Sequence, residues 1–133
     1  MAERYLIDTS AAIKYLNGTF PQIGLEYMDN ILDAESIISF ISEIELQVWN
    51  PLNPEDITIY QKFVSVSLVL GLEHDVIAET IRIRKTYNLK LPDALIAATC
   101  LVHDLTLIAD NDKDFSKVAL LRCINPNKLS LHE

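Results

Sequence analysis

Residues Leu91 to Asp110, LPDALIAATCLVHDLTLIAD, join a helical pattern to a short apolar run that ends in an acid. Pro92 is typical of the first turn of a helix, and apolar residues then recur at helical spacing up to Val102. Leu105 to Ala109 form a continuous apolar run, as in a strand that is buried on both faces. Because such a strand needs helices on both sides of its sheet, this stretch predicts an α/β domain with parallel strands.

The same alternation of apolar runs and helical periods extends in both directions along the chain. Further strands are predicted at 5–7, 37–41, 66–70 and 120–124. Helices are predicted at 11–16 with Thr9 or Ser10 as the cap, after Pro21, from Ser42 as the cap to Trp49, after Pro54, and from Val76 to Tyr87. We therefore expect a three-layer α/β/α fold, with a mostly parallel sheet of four to five strands flanked by helices, in a single domain spanning residues 1–133.

The composition of the chain is that of one globular domain. Hydrophobic residues make up 50% of its 133 residues, with only three glycines and five prolines, which excludes collagen-like, low-complexity and disordered classes. No segment has the length of a membrane span, and the first residues do not resemble a signal peptide, so we expect a cytoplasmic protein with no membrane partner. Cys100 and Cys123 lie in apolar segments without metal-ligand spacing, and predict neither a disulfide nor a zinc site.

The charge of the chain is negative overall but unevenly distributed. A net charge of −8 argues against broad, non-specific binding of polyanions. Residues 82–133, however, carry eight bases and six acids, and the bases begin at Arg82, Arg84, Lys85 and Lys90. These bases either form a local cationic face or solvate the outer side of a helix, and the sequence leaves both interpretations open.

Acidic residues follow several of the predicted strands. Ligands of an open α/β sheet bind at the carboxyl ends of its strands, so acids placed there converge even when they are far apart in the sequence. Carboxylates held close together repel one another unless a cation neutralises them, and hard oxygen ligands suit Mg²⁺ or Mn²⁺. The pattern therefore predicts a divalent-metal site built from some of Asp8, Glu43, Glu45, Asp93, Asp110, Asp112 and Asp114.

Some of these acids also have a purely structural interpretation. Asp8 and Asp93 each precede or begin a predicted helix, where a carboxylate stabilises the free N–H groups of the first turn. Glu43 and Glu45 are two residues apart, so only one of them is expected to face a common site from a helix. Glu45 shares a helix side with Trp49 by its i,i+4 spacing, which favours Glu45 as the inward one.

Other acid-rich motifs do not fit the sequence. An EF-hand beginning at Asp110 would have Phe115 and Leu121 where glycine and glutamate are required. A phosphatase with a D-x-D nucleophile needs an acid where Ser10 stands, and a phospho-accepting receiver domain needs one near Leu70. Glycine-rich nucleotide motifs do not occur. No role is assigned to the histidines, which lie away from the strand ends: His74, His103 and His132.

Four segments of the chain, in this order, resemble a PIN-domain protein and more narrowly a VapC-type toxin ribonuclease of a toxin-antitoxin pair: LIDTSA at 6–11, ISFISEIEL at 38–46, LPDALIAAT at 91–99 and LIADNDKDF at 107–115. The resemblance covers essentially the whole chain, and LPDALIAAT is its most specific segment. It implies an endoribonuclease that depends on Mg²⁺ or Mn²⁺ and hydrolyses RNA phosphodiester bonds, with tRNA or rRNA as possible targets. It also implies inhibition by a cognate antitoxin protein and, commonly, a homodimeric toxin.

Carried over by position, the resemblance assigns the catalytic and metal-binding roles to Asp8, Glu45 and Asp93, with Asp112 as the fourth site residue. The last match is imperfect, because Ala109 stands where Thr or Ser is usual, and the fourth site falls on either Asn111 or Asp112. Accessory roles are expected for Ser10, Ser42, Glu43, Asp110 and Asn111, the two serines either orienting a ligand or capping a helix. Candidates for binding substrate phosphates are Lys14, Arg84, Lys85, Lys90 and Lys113.

Two other functions remain open at this point. The missing polar group at Ala109 allows a PIN-like module that binds RNA without cleaving it. A phosphatase or phosphotransfer domain on a similar sheet is the less favoured alternative, because Ser10 replaces the acid that it needs. For the antitoxin, the apolar helices at 22–32 and 56–70 predict a groove in which a partner segment binds.

Overall fold

A computed structural model of the protein describes residues 3–48 and 50–130. The strands are β1 (Tyr5–Ile7), β2 (Ile37–Ser39), β3 (Leu68–Leu70), β4 (Thr106–Ile108) and β5 (Cys123–Ile124). The α-helices are α1 (Thr9–Leu16), α2 (Gln22–Ala34), α3 (Phe40–Val48), α4 (Asp56–Ser65), α5 (His74–Thr86) and α6 (Leu91–His103). Short 3₁₀ turns follow at Phe115–Lys117 and Pro126–Lys128. The predicted order of strands and helices is confirmed.

The strands pair in parallel but form two separate ladders. β4 lies between β1 and β5, with Leu6 opposite Leu107, while β2 pairs with β3. The parallel arrangement is therefore confirmed, whereas the expectation of one sheet of four to five strands is corrected to sheets of three and two strands. β1 and β2 lie beside each other, and Ile7 and Ile38 belong to the same hydrophobic cluster. Side-chain packing thus joins the two ladders.

Helices cover both faces of the strands. Successive strand residues point to opposite faces, so Leu6 and Leu107 join a cluster with α5 and α6. Ile7 and Ile108 join a second cluster, formed with residues of α1, α2, α3 and α4. Each strand therefore contributes apolar side chains to two cores, which explains the continuous apolar runs in the sequence. The expected three-layer α/β/α arrangement is confirmed.

The junction of β2 and α3 differs from the prediction. The strand ends at Ser39 and the helix begins at Phe40, so the predicted strand 37–41 is two residues too long. Ser39 Oγ accepts a hydrogen bond from the Ile41 backbone N–H at 3.0 Å, which satisfies one of the free donors of the first turn. The predicted cap at Ser42 is wrong, because this residue lies within the first turn and is buried. Apolar Phe40 and Ile41 fit a strand or a helix by hydropathy alone.

Three other elements begin at a different residue than predicted: α1 begins earlier, and β3 and β5 begin later. Helix α1 begins at Thr9, so the cap position belongs to Asp8 rather than to Thr9 or Ser10. β3 begins at Leu68 because the preceding residues still complete the last turn of α4. β5 begins at Cys123, since Leu120 has a φ of 69°, in the left-handed region that an extended strand does not contain. Trp49, the predicted end of α3, lies outside the described residues.

This topology brings three chain segments to one edge of the molecule. Asp8 directly follows β1, α3 begins directly after β2, and the loop 109–114 follows β4. Parallel strands present their carboxyl ends on the same side, so residues after each strand surround a common space. In the two described stretches of chain, every helix is too short or too polar to cross a membrane.

Candidate active site

A cleft of about 300 Å³ opens where these segments meet. Asp8 reaches it from the end of β1, Glu45 from the second turn of α3, and Asp93 from the first turn of α6. The loop after β4 contributes Asn111 and Asp114 to the same lining. The structure therefore brings together four acids from four segments of the sequence: Asp8, Glu45, Asp93 and Asp114.

Asp8 is the most deeply buried acid of the cleft, with 8% of its surface exposed. The pKa of its carboxyl is raised from 3.8 to about 6, chiefly by burial, and the nearby charges of Asp93 and Glu45 contribute to this rise. Hydrogen bonds from the Ser10 hydroxyl, at 3.1 Å, and from the Thr9 backbone partly oppose this rise in pKa. The negative charge of Asp8 is thus poorly solvated, and a cation in the cleft would stabilise it.

Glu45 is held in place by Thr9. The Thr9 hydroxyl donates to Glu45 Oε1 at 2.6 Å and lies 2.8 Å from Ser42 Oγ, so α1 and α3 are linked beside the cleft. Sequence reasoning had considered Thr9 only as a helix cap, although its position next to Asp8 places it at the same strand end. Ser42 contacts Thr9 instead of a helix terminus. The structure places Glu43 outside the cleft lining, and the side chain of Trp49 lies outside the described residues.

Asp93 lies directly after Pro92 in the first turn of α6. Burial raises the pKa of its carboxyl, and the negative charges of Asp114 and Glu45 add to this effect. The positive charge of Lys90, which precedes the helix, lowers the pKa in part. Asp93 therefore shares its environment with the other acids of the cleft and does not act only as a partner of its own helix terminus.

Asp110 and Asp112 do not join these acids. The Asp110 carboxylate accepts hydrogen bonds from Lys14 at 3.1 Å and from Asn127 at 2.6 Å. Lys128 Nζ lies 3.1 Å from both carboxylate oxygens of Asp112. Neither aspartate lines the cleft, so the structure does not meet the expectation that Asp112 would converge with the other acids. Asn111, which lies between these two aspartates, and Asp114, which follows them, line the cleft instead.

The pKa of Asp112 reflects this different environment. Partial burial would raise it, but hydrogen bonds from Lys128 and Asn125 lower the pKa below its ordinary value. A carboxylate that already has a cationic partner has less need of a metal ion. The pKa of Asp112 is therefore shifted in the opposite direction to those of Asp8 and Asp93.

The cleft lining in the described part of the chain contains none of the predicted phosphate-binding residues: Lys14, Arg84, Lys85, Lys90 and Lys113. Lys14 binds Asp110, as described above, and Arg84 donates to the backbone oxygen of Leu89 at 2.5 Å. The other three are exposed, and Lys90 is close enough to affect Asp93. None of these basic residues therefore lies in the described cleft lining, and Lys90 is the one whose charge affects an acid of the cleft.

The donors of the cleft fit a hard divalent cation. Carboxylates and an amide oxygen are the ligands that Mg²⁺ and Mn²⁺ accept, and burial and neighbouring acids raise the pKa of both Asp8 and Asp93. Among the described residues, no three His, Cys, Asp or Glu side chains are grouped closely enough to form a ready metal centre.

The histidines in the described part of the chain lie apart from the cleft lining. His103 pairs with Glu73 at 3.1 Å, and His132 lies outside the described residues.

Comparison with protein families identifies the chain. The PIN domain matches residues 5–121, which include all three strand ends that form the cleft. The chain belongs to the PIN-domain family. The resemblance that the four sequence segments indicated is thereby confirmed.

Solved structures with the same fold support this result. A chain of a toxin-antitoxin complex from Klebsiella pneumoniae is 26% identical, with a TM-score of 0.73 over 94% of this PIN domain and 99% of that chain. DNA-bound VapBC from Salmonella typhimurium contains a chain of 21% identity and TM-score 0.78, with the same coverages. FitAcB from Neisseria gonorrhoeae contains one of 22% identity and TM-score 0.76, again with the same coverages. Curated protein sequences gave no significant match.

Proposed function

We propose that this PIN-domain protein is a toxin endoribonuclease that depends on Mg²⁺ or Mn²⁺ and hydrolyses RNA phosphodiester bonds. The observation that carries the proposal is the burial of Asp8 in one cleft with Glu45 and Asp93, without a lysine or arginine among the described lining residues. Carboxylates arranged in this way destabilise the empty site and favour a bound dication. The similarity to chains of toxin-antitoxin complexes supports the toxin assignment.

We assign the metal to Asp8, Glu45 and Asp93, with Asn111 rather than Asp112 as the fourth donor, since Asp112 binds Lys128. When bound, the metal ion supplies a Lewis acid that lowers the pKa of a bound water and stabilises the charge that develops at phosphorus.

Two hydroxyl groups of the chain orient the carboxylates for this work. The Thr9 hydroxyl fixes the direction of Glu45, and the Ser10 hydroxyl fixes that of Asp8. Asp114 lies close enough to Asp93 to raise its pKa, and so adds to the negative potential of the cleft.

Exposed bases of the chain also support the proposed substrate. Lys85, Lys90 and Lys113 are exposed, and a strand of RNA contacts such residues through its phosphates. A metal in the cleft reduces the repulsion between the acids and that strand. Because tRNA and rRNA are cytoplasmic, we assign the protein to the cytoplasm.

Purified protein is expected to cut a mixed pool of tRNA and rRNA with Mg²⁺ or Mn²⁺ and to leave it intact with EDTA. An Asp93→Asn variant is expected to lose about 30-fold in rate, since one charged donor is removed and the others remain. Asp75→Asn is the matched control, because Asp75 lies in the first turn of α5, is exposed and does not line the cleft. Gel analysis of the RNA fragments measures both variants, with circular dichroism to confirm folding.

Two further assays on the same protein, RNA binding and hydrolysis of a generic phosphomonoester, separate the two alternatives. RNA binding without metal-dependent cleavage would favour the non-catalytic module, which the alanine at position 109 allows. Hydrolysis of a generic phosphomonoester without cleavage of RNA would favour a phosphatase. Equal rates in wild type and Asp93→Asn would contradict the assignment of the cleft.

We further infer a cognate antitoxin and a second copy of the chain as partners. Helix α2 turns Met28 and Ile31 into the core, so it supplies less of the expected groove than α4, which exposes Ile57 and Ile59. Apolar side chains are also exposed on α3 and α5, and burying them would stabilise a complex. They are Ile44, Val48, Ile77 and Ile81.

Light scattering tests these partners. The protein alone is expected at twice the 15.0 kDa mass of one chain. Co-expression with the protein encoded beside it is expected to give a larger complex in which RNA cleavage is suppressed. A single-chain mass and undiminished cleavage in the presence of that protein would contradict the two assignments.

A further inference from the structure

The loop 110–114 supplies Asn111 and Asp114 to the cleft although it is neither helix nor strand. An irregular loop has no repeating ladder of backbone hydrogen bonds, so the contacts that surround it contribute much of what fixes its shape. In this protein the 3₁₀ turn that follows the loop bonds to its second half, with the Ser116 backbone N–H donating to the Asp112 backbone oxygen at 2.9 Å. The contacts from elsewhere in the fold come from Lys14 and from the segment Asn125–Lys128, which follows β5. β5 pairs in parallel with β4, so both segments leave the same sheet edge side by side.

Asn125 makes the central contacts of this segment. Only 8% of its surface is exposed, and its Nδ2 donates to the Asp110 backbone oxygen at 2.8 Å and to Asp112 Oδ1 at 3.4 Å. Its Oδ1 accepts hydrogen bonds from the backbone N–H and side-chain amide of Asn127, both at 2.9 Å. The nitrogen end of one buried amide thus joins the segment to the loop, while its oxygen end holds the turn of the segment itself.

Further contacts fasten the loop on either side of Asn111. Asp110 is bound by Asn127 and Lys14, and Lys14 also donates to Asn127 at 2.8 Å. Asp112 is bound by Lys128 through both carboxylate oxygens. Asp110 and Asp112 are thus both held by hydrogen bonds, and Asn111 between them lines the cleft.

The segment itself is seated on α2. At Gly24 a Cβ atom would lie 2.5 Å from the backbone oxygen of Pro126, so the two backbones are in direct contact. Pro126 is buried, and its ring restricts the backbone of the turn. The segment therefore has a rigid support on one side and the loop on the other.

We propose that residues 125–128 form a strut that positions Asn111 and Asp114 in the cleft, with Asn125 as the positioning residue. Asp110 and Asp112, which the sequence marked as possible site residues, are the attachment points of this strut. The inference rests on the proposed function, since it concerns the same cleft. It assigns to the end of the chain a role in the geometry of the metal site.

An Asn125→Ala variant tests the strut by two measurements on the metal-free protein. Hydrogen exchange of peptides covering 109–117 is expected to become about tenfold faster, because the loop loses its central attachment. The affinity for Mn²⁺, measured by calorimetry, is expected to fall about fivefold as Asn111 and Asp114 lose their positions. The matched control is Asn30→Ala, an exposed asparagine of α2, for which exchange and affinity are expected to equal those of the wild type.

Lys128→Met is a second variant at an exposed position, for use if Asn125→Ala does not fold. It removes only the contact with Asp112, so a smaller change in the same two measurements is expected. Unchanged exchange of 109–117, or faster exchange with unchanged Mn²⁺ affinity, would overturn the strut while the wild type still binds Mn²⁺. If the wild type itself binds no Mn²⁺ and cuts no RNA, the proposed function and the strut fail together.

Discussion

An Asp8→Asn variant is expected to cleave RNA about a thousandfold more slowly than the wild type and yet to be more stable at pH 7.5. The loss of rate follows from the removal of the most buried charged donor of the cleft. The gain in stability has a separate cause. The wild-type fold holds a carboxylate in a site where burial and neighbouring acids disfavour its charge, and asparagine carries none.

The sign of this effect follows from the pKa values. The pKa of Asp8 rises from 3.8 in the unfolded chain to about 6 in the folded one, so the folded state binds the proton more tightly. The stabilisation is fully present below pH 4 and is lost as the pH rises through 6. At pH 7.5 the loss amounts to roughly 3 kcal/mol in the free energy of unfolding.

Thermal unfolding in EDTA at pH 5 and pH 7.5 measures about half of this loss, because the other half occurs between pH 4 and pH 5. The melting temperature of the wild type is expected to fall between the two pH values, while that of Asp8→Asn changes less. Added Mn²⁺ is expected to raise the melting temperature of the wild type at pH 7.5 but not that of the variant. Asp75→Asn, the control used for cleavage, should follow the wild type throughout. An identical pH dependence in wild type and Asp8→Asn would show that ionisation of the buried Asp8 carboxyl does not lower the free energy of unfolding.

The sequence pattern predicted that acids such as Asp8, Glu45 and Asp93 come together, and the family resemblance selected these three from seven candidate acids. Their positions depend on regular structure. Asp8 follows the apolar run of β1, and Asp93 follows Pro92 at the start of α6. Glu45 lies at a fixed spacing within α3. In parallel strands, the direction of the chain alone decides which end of each strand faces the cleft. The helical period then separates Glu45 from Glu43.

The orientation of the loop 110–114 was beyond sequence reasoning. Spacing allowed either Asn111 or Asp112 to face the acids, and the choice depends on Asn125 and Lys128, which follow a different strand. No periodicity links these positions, since a loop has none. The role of Thr9 was missed for a related reason: its contact with Glu45 joins two helices whose packing the sequence does not specify.

Strand boundaries were also difficult to predict, because hydropathy does not distinguish a strand from the first turn of a buried helix. Phe40 and Ile41 continue the apolar run of β2, but the hydroxyl of Ser39 satisfies a backbone donor and allows the helix to begin there. The division into two ladders has a similar origin. Apolar patterning shows that strands are buried, but not which neighbours share backbone hydrogen bonds.

A Gly24→Ala substitution is expected to destabilise the protein by about 2 kcal/mol, although the residue lies in a helix. Alanine in place of glycine stabilises a helix interior by about 1 kcal/mol, which is an upper value for Gly24 in the first turn of α2. Here the added methyl group would lie 2.5 Å from the backbone oxygen of Pro126, and forcing apart two packed backbones costs about 3 kcal/mol. The packing cost therefore outweighs the gain in helix propensity.

Urea unfolding measures this change, with Gly71→Ala as the control. A Cβ at Gly71 meets no atom within 4 Å, and its backbone is not in the left-handed region, so the same substitution should leave the stability unchanged or slightly increased. Equal stabilities of Gly24→Ala and Gly71→Ala would show that Pro126 moves aside without cost. Since Pro126 belongs to the strut, the displacement expected in Gly24→Ala should also accelerate hydrogen exchange in 109–117. Faster exchange in this variant would show that the contact between Gly24 and Pro126 supports the loop that lines the cleft.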